Sequence, residues 1–177
     1  MKAIVVLVIA LLVFPGSGFA SHVSVSTDVA VLNAVIYSLC TDKDVRPPTG
    51  KYNIVSSQTH LVYGQLVEKV DPDAAASLRS RNASPHELSH LESCTTEQFK
   101  TAVKVDRNFD WDAFFTEFPD SVGITEFSLP GYSNDRRRAI VGVSFRCQSF
   151  CAFGGYWVLE KSNGRWLVVR KIHAWMT

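Results

Sequence analysis

The sequence lacks internal repeats, low-complexity tracts and an evident linker, and so predicts one domain with no internal boundary. It also lacks an excess of either charge. Of its 18 Lys and Arg residues only Lys2 falls in the first twenty positions, so the remaining chain carries 17 basic against 17 acidic side chains. Nucleic-acid binding needs an excess of basic side chains that neutralises phosphates. The chain has no such excess, which argues against nucleic acid as its main partner.

Two catalytic signatures are also missing from the sequence. It contains neither a glycine-rich phosphate loop nor a Gly-x-Ser-x-Gly elbow. Gly154-Gly155 falls within a predicted strand and does not form such a loop. The sequence therefore gives no indication of nucleotide binding or of α/β-hydrolase chemistry.

Residues 1–20 have the three parts of a secretory signal peptide. Lys2 precedes the apolar run 3–14, and small residues stand at positions 18 and 20. We expect cleavage after Ala20 and a secreted or periplasmic domain of residues 21–177. A retained anchor is disfavoured, because the apolar run is shorter than the ~20 residues of a membrane helix. No later segment is apolar enough to span a bilayer, so we expect no membrane span after cleavage.

Four cysteines remain in the mature chain: Cys40, Cys94, Cys147 and Cys151. In an oxidising compartment an even number of cysteines predicts disulfides, and three pairings are possible. The short separation of Cys147 and Cys151 favours their pairing, which leaves Cys40 to pair with Cys94. A redox role for Cys147 and Cys151 is disfavoured, because the reactive motif separates its cysteines by two residues rather than three.

Apolar residues at spacings of three and four predict helices in the N-terminal half. Residues 26–28 offer capping side chains to a helix that ends near Cys40. Its predicted buried face consists of Leu32, Val35, Ile36 and Leu39. The alanine-rich segment 71–80 predicts a second helix. A third, short helix is predicted to start at Ser84, because Ser84 and Glu87 have the spacing of a capping box.

Strands dominate the predictions for the second half. Alternating residues predict strands at 99–105 and 139–147. Further strands are predicted at 52–55, after a turn, and at 156–160 and 165–172. An aromatic stripe predicts a core-facing helix that Asp110 caps and Pro119 ends. Asn163-Gly164 predicts a hairpin between the last two strands. The predicted fold is α+β, with N-terminal helices packed on one face of a C-terminal antiparallel meander and two disulfides.

The C-terminal third resembles an uncharacterised group of small secreted bacterial proteins. The residues that carry the resemblance are Trp111, Phe114, 119–123, 127–128, 131–133, Cys147, Cys151, Gly154, Gly155, 163–166 and Trp175. The final strands, with the 163–166 hairpin and His173, are similar to those of cone-shaped nuclear-transport-factor-like domains. The first resemblance implies no function, and the second implies a fold alone.

One motif could carry chemistry, namely His86-Glu87-Leu88-Ser89-His90. On a helix, His86 and His90 would share a face and could hold zinc, while Glu87 could take a proton from metal-bound water. Glu117 is the third ligand that the sequence favours. Pro85 places His86 in an exposed first turn, however, and Glu87 already serves the predicted capping box. A zinc-dependent metallohydrolase or peptidase is therefore the alternative interpretation, and whether the chain is an enzyme stays open.

We favour a binding or structural module for an unknown protein or small ligand, with no cofactor. Tryptophans at 157, 166 and 175 in the predicted meander leave room for an apolar cleft between sheet and helices, which is the default ligand site. Residues 136–138 are interpreted as a solvated start of a strand, with an anion site as the alternative. His173 is interpreted as a core or rim residue. Residues 82–84 form a glycosylation sequon.

Overall fold

The computed structural model describes residues 20–42, 52–61, 65–88, 91, 99–103, 109–148 and 152–176. Its helices are α1 (Ala20–Thr41), α2 (Pro72–Arg81) and α3 (Trp111–Glu117), with a 3-10 helix at Gln65–Lys69. Its strands are β1 (Tyr52–Ser56), β2 (Phe99–Val103), β3 (Ser121–Phe127), β4 (Gly131–Tyr132), β5 (Arg138–Arg146), β6 (Phe153–Ser162) and β7 (Arg165–Met176). The α+β class is confirmed.

The described strands form one mixed sheet in the order β2-β1-β3-β5-β6-β7, and β4 pairs with the start of β5. The predicted antiparallel meander is confirmed for β5, β6 and β7. The antiparallel arrangement does not extend to the whole sheet, because β1 runs parallel to both β2 and β3. Parallel neighbours require long crossover connections, and α2 and α3 lie in the segments that join these strands.

Helices cover both faces of the sheet, so the prediction that they pack on one face is wrong. Val141 and Trp157 pack in the same cluster as α1, whereas Ile140 and Tyr156 pack with α2. Adjacent residues of a strand point to opposite faces, and all four of these side chains are almost fully buried. A sheet that is apolar on both faces needs a covering layer on each.

Helix α1 starts at Ala20, which precedes the predicted cap at residues 26–28. The cap prediction is wrong, and Asp28 lies inside the helix. The predicted buried face is confirmed by Leu32, Val35, Ile36 and Leu39, which are at most 4% exposed. Asp28 is therefore available for contacts with other elements.

The other two helices begin and end as predicted. Asp71 caps α2 by accepting from the Ala74 N–H at 3.0 Å. Asp110 caps α3 by accepting from the Ala113 N–H at 3.0 Å, and α3 ends before Pro119. The α3 aromatic Phe114 packs against Ile124 of β3, as the core interpretation predicts.

Two glycines allow close local geometry, one in the hairpin between β6 and β7 and one where α2 packs on β4. Gly164, with φ of 78°, and Asn163, with φ of 49°, form the predicted hairpin between β6 and β7. At Gly131 of β4, an added Cβ would lie 2.3 Å from the Ala74 carbonyl oxygen of α2. Helix α2 can therefore pack directly on the β4 backbone only because this residue has no side chain.

Within the described residues, no helix is both long and apolar enough to cross a membrane. The proposed signal segment up to residue 19 lies outside the described residues, as do Cys94 and Cys151. Of the described cysteines, neither Cys40 nor Cys147 is free.

Candidate functional site

The segment that follows α2 is extended, so the helix predicted from Ser84 is wrong. Glu87 forms an antiparallel bridge with Gln58. The Thr59 N–H donates to the His86 carbonyl at 2.8 Å, and the Leu88 N–H donates to the Ser57 carbonyl at 2.8 Å. These bonds with the chain beyond β1 satisfy the backbone groups that a helix at this position would have used.

The proposed zinc motif therefore lacks the helix on which its spacing depends. His86 and Glu87 are exposed, and His90 lies outside the described residues. No group of three or more His, Cys, Asp or Glu side chains in the described part of the chain could hold a metal ion. Zinc binding that involves His90 stays a prediction that the described residues do not test.

His86 and Glu87 instead line a cavity of about 550 Å³ between α1, the end of α2 and the extended segment. We call this cavity the leucine cleft. Five of its lining residues are aliphatic: Val29, Leu32, Leu88, Leu91 and Leu129. The remaining lining residues are polar: Asp28, Ser80, Arg81, Ser84, His86 and Glu87. An apolar lining beside a few convergent polar groups is typical of a small-molecule site.

An ion pair between α1 and α2 forms the polar wall of the leucine cleft. Arg81 Nη2 lies 2.6 Å from Asp28 Oδ2, and Arg81 Nη1 donates to Asp28 Oδ1 at 3.0 Å. Arg81 Nη1 also donates to the Pro130 carbonyl at 2.6 Å. The side chains of Arg81 and Asp28 retain 26% and 13% of their exposure. The bidentate pair thus joins α1 to the end of α2.

Tyr132 of β4 also contacts this ion pair, although it does not line the leucine cleft. Its hydroxyl donates to Asp28 Oδ1 at 2.8 Å, and the guanidinium of Arg81 lies 5.3 Å from its ring centroid. Burial and the nearby Asp28 carboxylate raise the pKa of Tyr132 well above its usual range. Burial lowers the pKa of Arg81, but the bond to Asp28 outweighs this effect and the net direction is upward. Tyr132 is therefore a neutral donor and Arg81 a permanent cation.

Asn82 positions Leu129 in the leucine cleft. Its Nδ2 donates to the carbonyls of Leu78 and Leu129 at 2.7 and 3.0 Å, and its Oδ1 accepts from the Leu129 N–H at 2.7 Å. The amide nitrogen of the predicted sequon is therefore fully engaged. A glycan at Asn82 would require these bonds to break.

The net charge of the leucine cleft depends on which of its charged side chains form ion pairs. Asp28 and Arg81 neutralise each other. Glu87 is the other acidic residue of the lining, and its exposed carboxylate forms no ion pair with any described residue. The rim of the cleft thus carries one available negative charge, beside the imidazole of His86.

A second polar cluster lies on the sheet away from the leucine cleft. Glu126 of β3 is 2% exposed. Its Oε2 lies 2.8 Å from Nε of Arg146 and accepts from Ser144 at 3.2 Å. Arg146 Nη2 also lies 3.1 Å from His60 Nε2. Because the buried carboxylate is bonded within the sheet, this cluster serves the packing of β3 on β5.

The predicted site residues are therefore only partly brought together. His86 and Glu87 share the leucine cleft, whereas His173 is exposed on β7 and packs edge-on against Trp157. Sequence reasoning missed the pairing of Asp28 with Arg81. No local pattern could reveal it, since the two residues are 53 positions apart.

Comparison with family models, curated proteins and solved structures found no match for this chain. A function for the chain can therefore be inferred only from the geometry and chemistry of its own clefts.

Proposed function

We propose that the chain is a binding module that holds a small cationic amphiphile in the leucine cleft. The observation that carries the proposal is the combination of five aliphatic lining residues with a rim whose available charge is Glu87. The aliphatic residues would contact the apolar part of the ligand. The ammonium group would lie beside Glu87.

The apolar contribution decides whether such a ligand can bind at all. A cavity of about 550 Å³ lies within the usual size range of small-molecule sites. Burying a ten-carbon chain contributes about 8 kcal/mol at about 0.8 kcal/mol per methylene. Association costs at least about 4 kcal/mol in lost translation and rotation. A decyl chain is therefore expected to bind with a dissociation constant of about 1 mM.

The charge contribution decides which head group binds better. Glu87 is exposed, and an ion pair at an exposed carboxylate is worth about 0.2–1 kcal/mol. We therefore expect decylammonium to bind up to about fivefold more tightly than decanoate, since 1.4 kcal/mol corresponds to tenfold.

Calorimetric titration below the micelle concentration of each compound tests the cleft. Val29→Phe places a larger side chain in the cavity and should abolish binding of decylammonium. Ala30→Phe is the matched control, because Ala30 is the exposed neighbour on α1 and does not line the cleft. Equal binding by Val29→Phe and the wild type would refute the site.

Glu87→Gln separates the amphiphile proposal from the zinc alternative. It should remove the preference for decylammonium over decanoate and leave binding of the decyl chain intact. We expect no stoichiometric zinc in the purified protein, because residues 86–88 are extended. One equivalent of zinc, with hydrolysis that Glu87→Gln abolishes, would instead establish the metallohydrolase.

We also propose that the protein is exported and cross-linked. Residues 1–20 would direct export to the periplasm or the medium, and disulfides would join Cys40 to Cys94 and Cys147 to Cys151. The absence of a free thiol at Cys40 and Cys147, the two described cysteines, supports the cross-links. Because a long closed loop restricts the unfolded chain most, the Cys40–Cys94 bond is expected to contribute more stability.

A further inference from the structure

A second cavity, of about 1050 Å³, adjoins the leucine cleft and shares Asp28, Ser80 and Arg81 with it. Its walls are α2, the turn that follows β4, and the hairpin between β6 and β7. Arg136 of the turn and Lys161 of β6 both line it. We call it the Arg136–Lys161 cleft.

The acidic side chains of the Arg136–Lys161 cleft already have partners within the protein. Asp28 is bonded to Arg81 and Tyr132. Asp73 accepts from Asn134 Nδ2 at 2.7 Å. The charge of Asp28 is thus neutralised by Arg81, whereas Asp73 is bonded to a neutral amide and keeps its charge. With Asp73, Arg136 and Lys161 counted together, the lining carries one net positive charge.

Arg136 and Lys161, the cations of the cleft other than Arg81, lack an acidic partner among the described residues. Neither Arg136 nor Lys161 forms an ion pair with any described residue within 4.0 Å. Lys161 Nζ lies 5.8 Å from the ring centroid of Trp166, which restricts the position of the ammonium group without neutralising it. The charge of the cleft is thus unbalanced in favour of the cations.

Asp135, the acidic neighbour of Arg136 in sequence, is bonded within the turn. Asp135 accepts from Ser133 Oγ at 2.7 Å and from the Arg137 N–H at 2.9 Å. The Arg136 N–H closes the turn on the Ser133 carbonyl at 2.9 Å. Arg136 itself has φ of 54°, a left-handed conformation that glycine and asparagine adopt more readily than arginine. The arginine thus occupies a position that backbone preference alone does not favour.

Arg138 shows what a structural arginine in the same segment looks like. Its Nη2 lies 3.0 Å from Glu160 Oε1 of β6, and its Nη1 lies 3.4 Å from Oδ2 of Asp71, the cap of α2. Arg138 thus joins β5 to β6 and to the start of α2. Arg136 makes no comparable contact with the described residues. The two residues of one basic run therefore have different roles.

We propose that the Arg136–Lys161 cleft binds the oxyanion group, carboxylate or phosphate, of a small polar molecule. Arg136 and Lys161 are its cationic ligands. A guanidinium offers paired donors to such a group, and an ammonium adds a point charge. The two clefts share Asp28, Ser80 and Arg81, but the proposed ligands Arg136 and Lys161 do not line the leucine cleft.

Titration monitored by backbone NMR at constant ionic strength tests this proposal. Inorganic phosphate represents the free anion, glucuronate represents a carboxylate on a polar ring, and chloride is the reference for simple screening. We expect saturable shifts at residues 133–136 and 161 with phosphate or glucuronate, and none with chloride. Linear shifts without saturation, equal for all three anions, would overturn the proposal.

Three variants assign the binding to the cleft. Arg136→Asn and Lys161→Gln should each weaken binding of the anion at least fivefold. Arg165→Gln removes the same charge from an exposed position on β7 that does not line the cleft, and should leave binding unchanged. An equal loss in all three variants would show general charge attraction instead.

We expect Arg136→Asn to fold as the wild type does. Asparagine tolerates the left-handed backbone of position 136, so Arg136→Asn should keep or raise the thermal midpoint. Lost binding with an unchanged midpoint is the result we expect.

Discussion

At the scale of single residues, Arg81 is the side chain on which the site architecture most depends. It ties Asp28 of α1 to the end of α2 and to the Pro130 carbonyl. Arg81→Met would leave the largely buried Asp28 carboxylate with the Tyr132 hydroxyl as a partner. Because removing one member of a buried pair strands the other charge, we expect a loss of about 2–3 kcal/mol in the free energy of unfolding.

Urea denaturation measures this loss, and Arg79→Met is its control. Arg79 also belongs to α2 and pairs with Glu68 of the 3-10 helix, but both side chains are exposed, at 57% and 43%. An exposed pair contributes about 0–1 kcal/mol. Similar losses for the two variants would show that the Asp28–Arg81 pair has no special role.

Tyr132 gives the ion pair a signature in alkaline solution. Its pKa is raised in the folded protein by burial and by Asp28. The stability that the Tyr132 hydroxyl contributes is therefore complete below the pKa of an unfolded tyrosine, about 10. As the pH rises above this value, the contribution is lost by up to about 1.4 kcal/mol per pH unit.

Tyr132→Phe isolates this contribution. The stability difference between wild type and Tyr132→Phe should be about 1–2 kcal/mol at pH 8 and should shrink between pH 9 and pH 11. Urea midpoints across this range provide the measurement. A difference that stays constant with pH would contradict the assigned pKa direction.

At the scale of elements, Gly131 determines how closely α2 approaches the sheet. In Gly131→Ala the new Cβ would lie 2.3 Å from the Ala74 carbonyl oxygen and 2.4 Å from the Leu78 nitrogen. Both atoms are helix backbone and cannot rotate away, so α2 must shift. We expect a loss of about 3 kcal/mol in stability, as for severe overpacking.

Gly164→Ala is the comparison for Gly131→Ala. Its Cβ would meet no atom within 4 Å, but its φ of 78° disfavours a side chain. We expect a loss of about 1 kcal/mol from backbone strain alone. Thermal denaturation of both variants separates the two causes, and a smaller loss for Gly131→Ala than for Gly164→Ala would contradict the packing account.

Elements defined by local signals could be predicted from the sequence. The helix at 71–80, the cap at Asp110 and the hairpin at Asn163-Gly164 each depend on residues within a few positions, and all three predictions are confirmed. The helix predicted from Ser84 also had a local signal, but backbone bonds to Ser57 and Thr59 prevailed. Those partners lie far away in sequence, so the local pattern could not indicate them.

The layer arrangement and the candidate site were harder to predict. Runs such as 139–143 are buried on both faces, and a continuous apolar run is typical of a strand between two layers. The alternating residues of 139–147 indicate only one of these two faces, so the one-face prediction is wrong. The sequence predicts His86 and Glu87 as ligands on a helix, whereas the structure places them in the lining of a cleft. The likeness to nuclear-transport-factor-like domains stays a prediction.

At the scale of the whole molecule, export and cross-linking can be tested together. If residues 1–20 are removed and both disulfides form, the purified protein should begin at Ser21 and gain about 4 Da on reduction, two hydrogens for each bond. Intact mass before and after reduction provides the measurement. Peptide mapping then identifies the pairs, and a peptide joining Cys40 to Cys147 would refute the proposed connectivity.

The amphiphile proposal requires that the leucine cleft, and not the outer surface, holds the ligand. NMR with methyl-labelled leucine tests it directly, because exposed Leu66 and Leu167 report general adsorption of a decyl chain. We expect decylammonium to shift the methyl signals of Leu88, Leu91 and Leu129 in a saturable manner and to leave those of Leu66 and Leu167 unchanged. Shifts confined to Leu66 and Leu167, or equal at all five leucines, would show that decylammonium does not bind specifically in the leucine cleft.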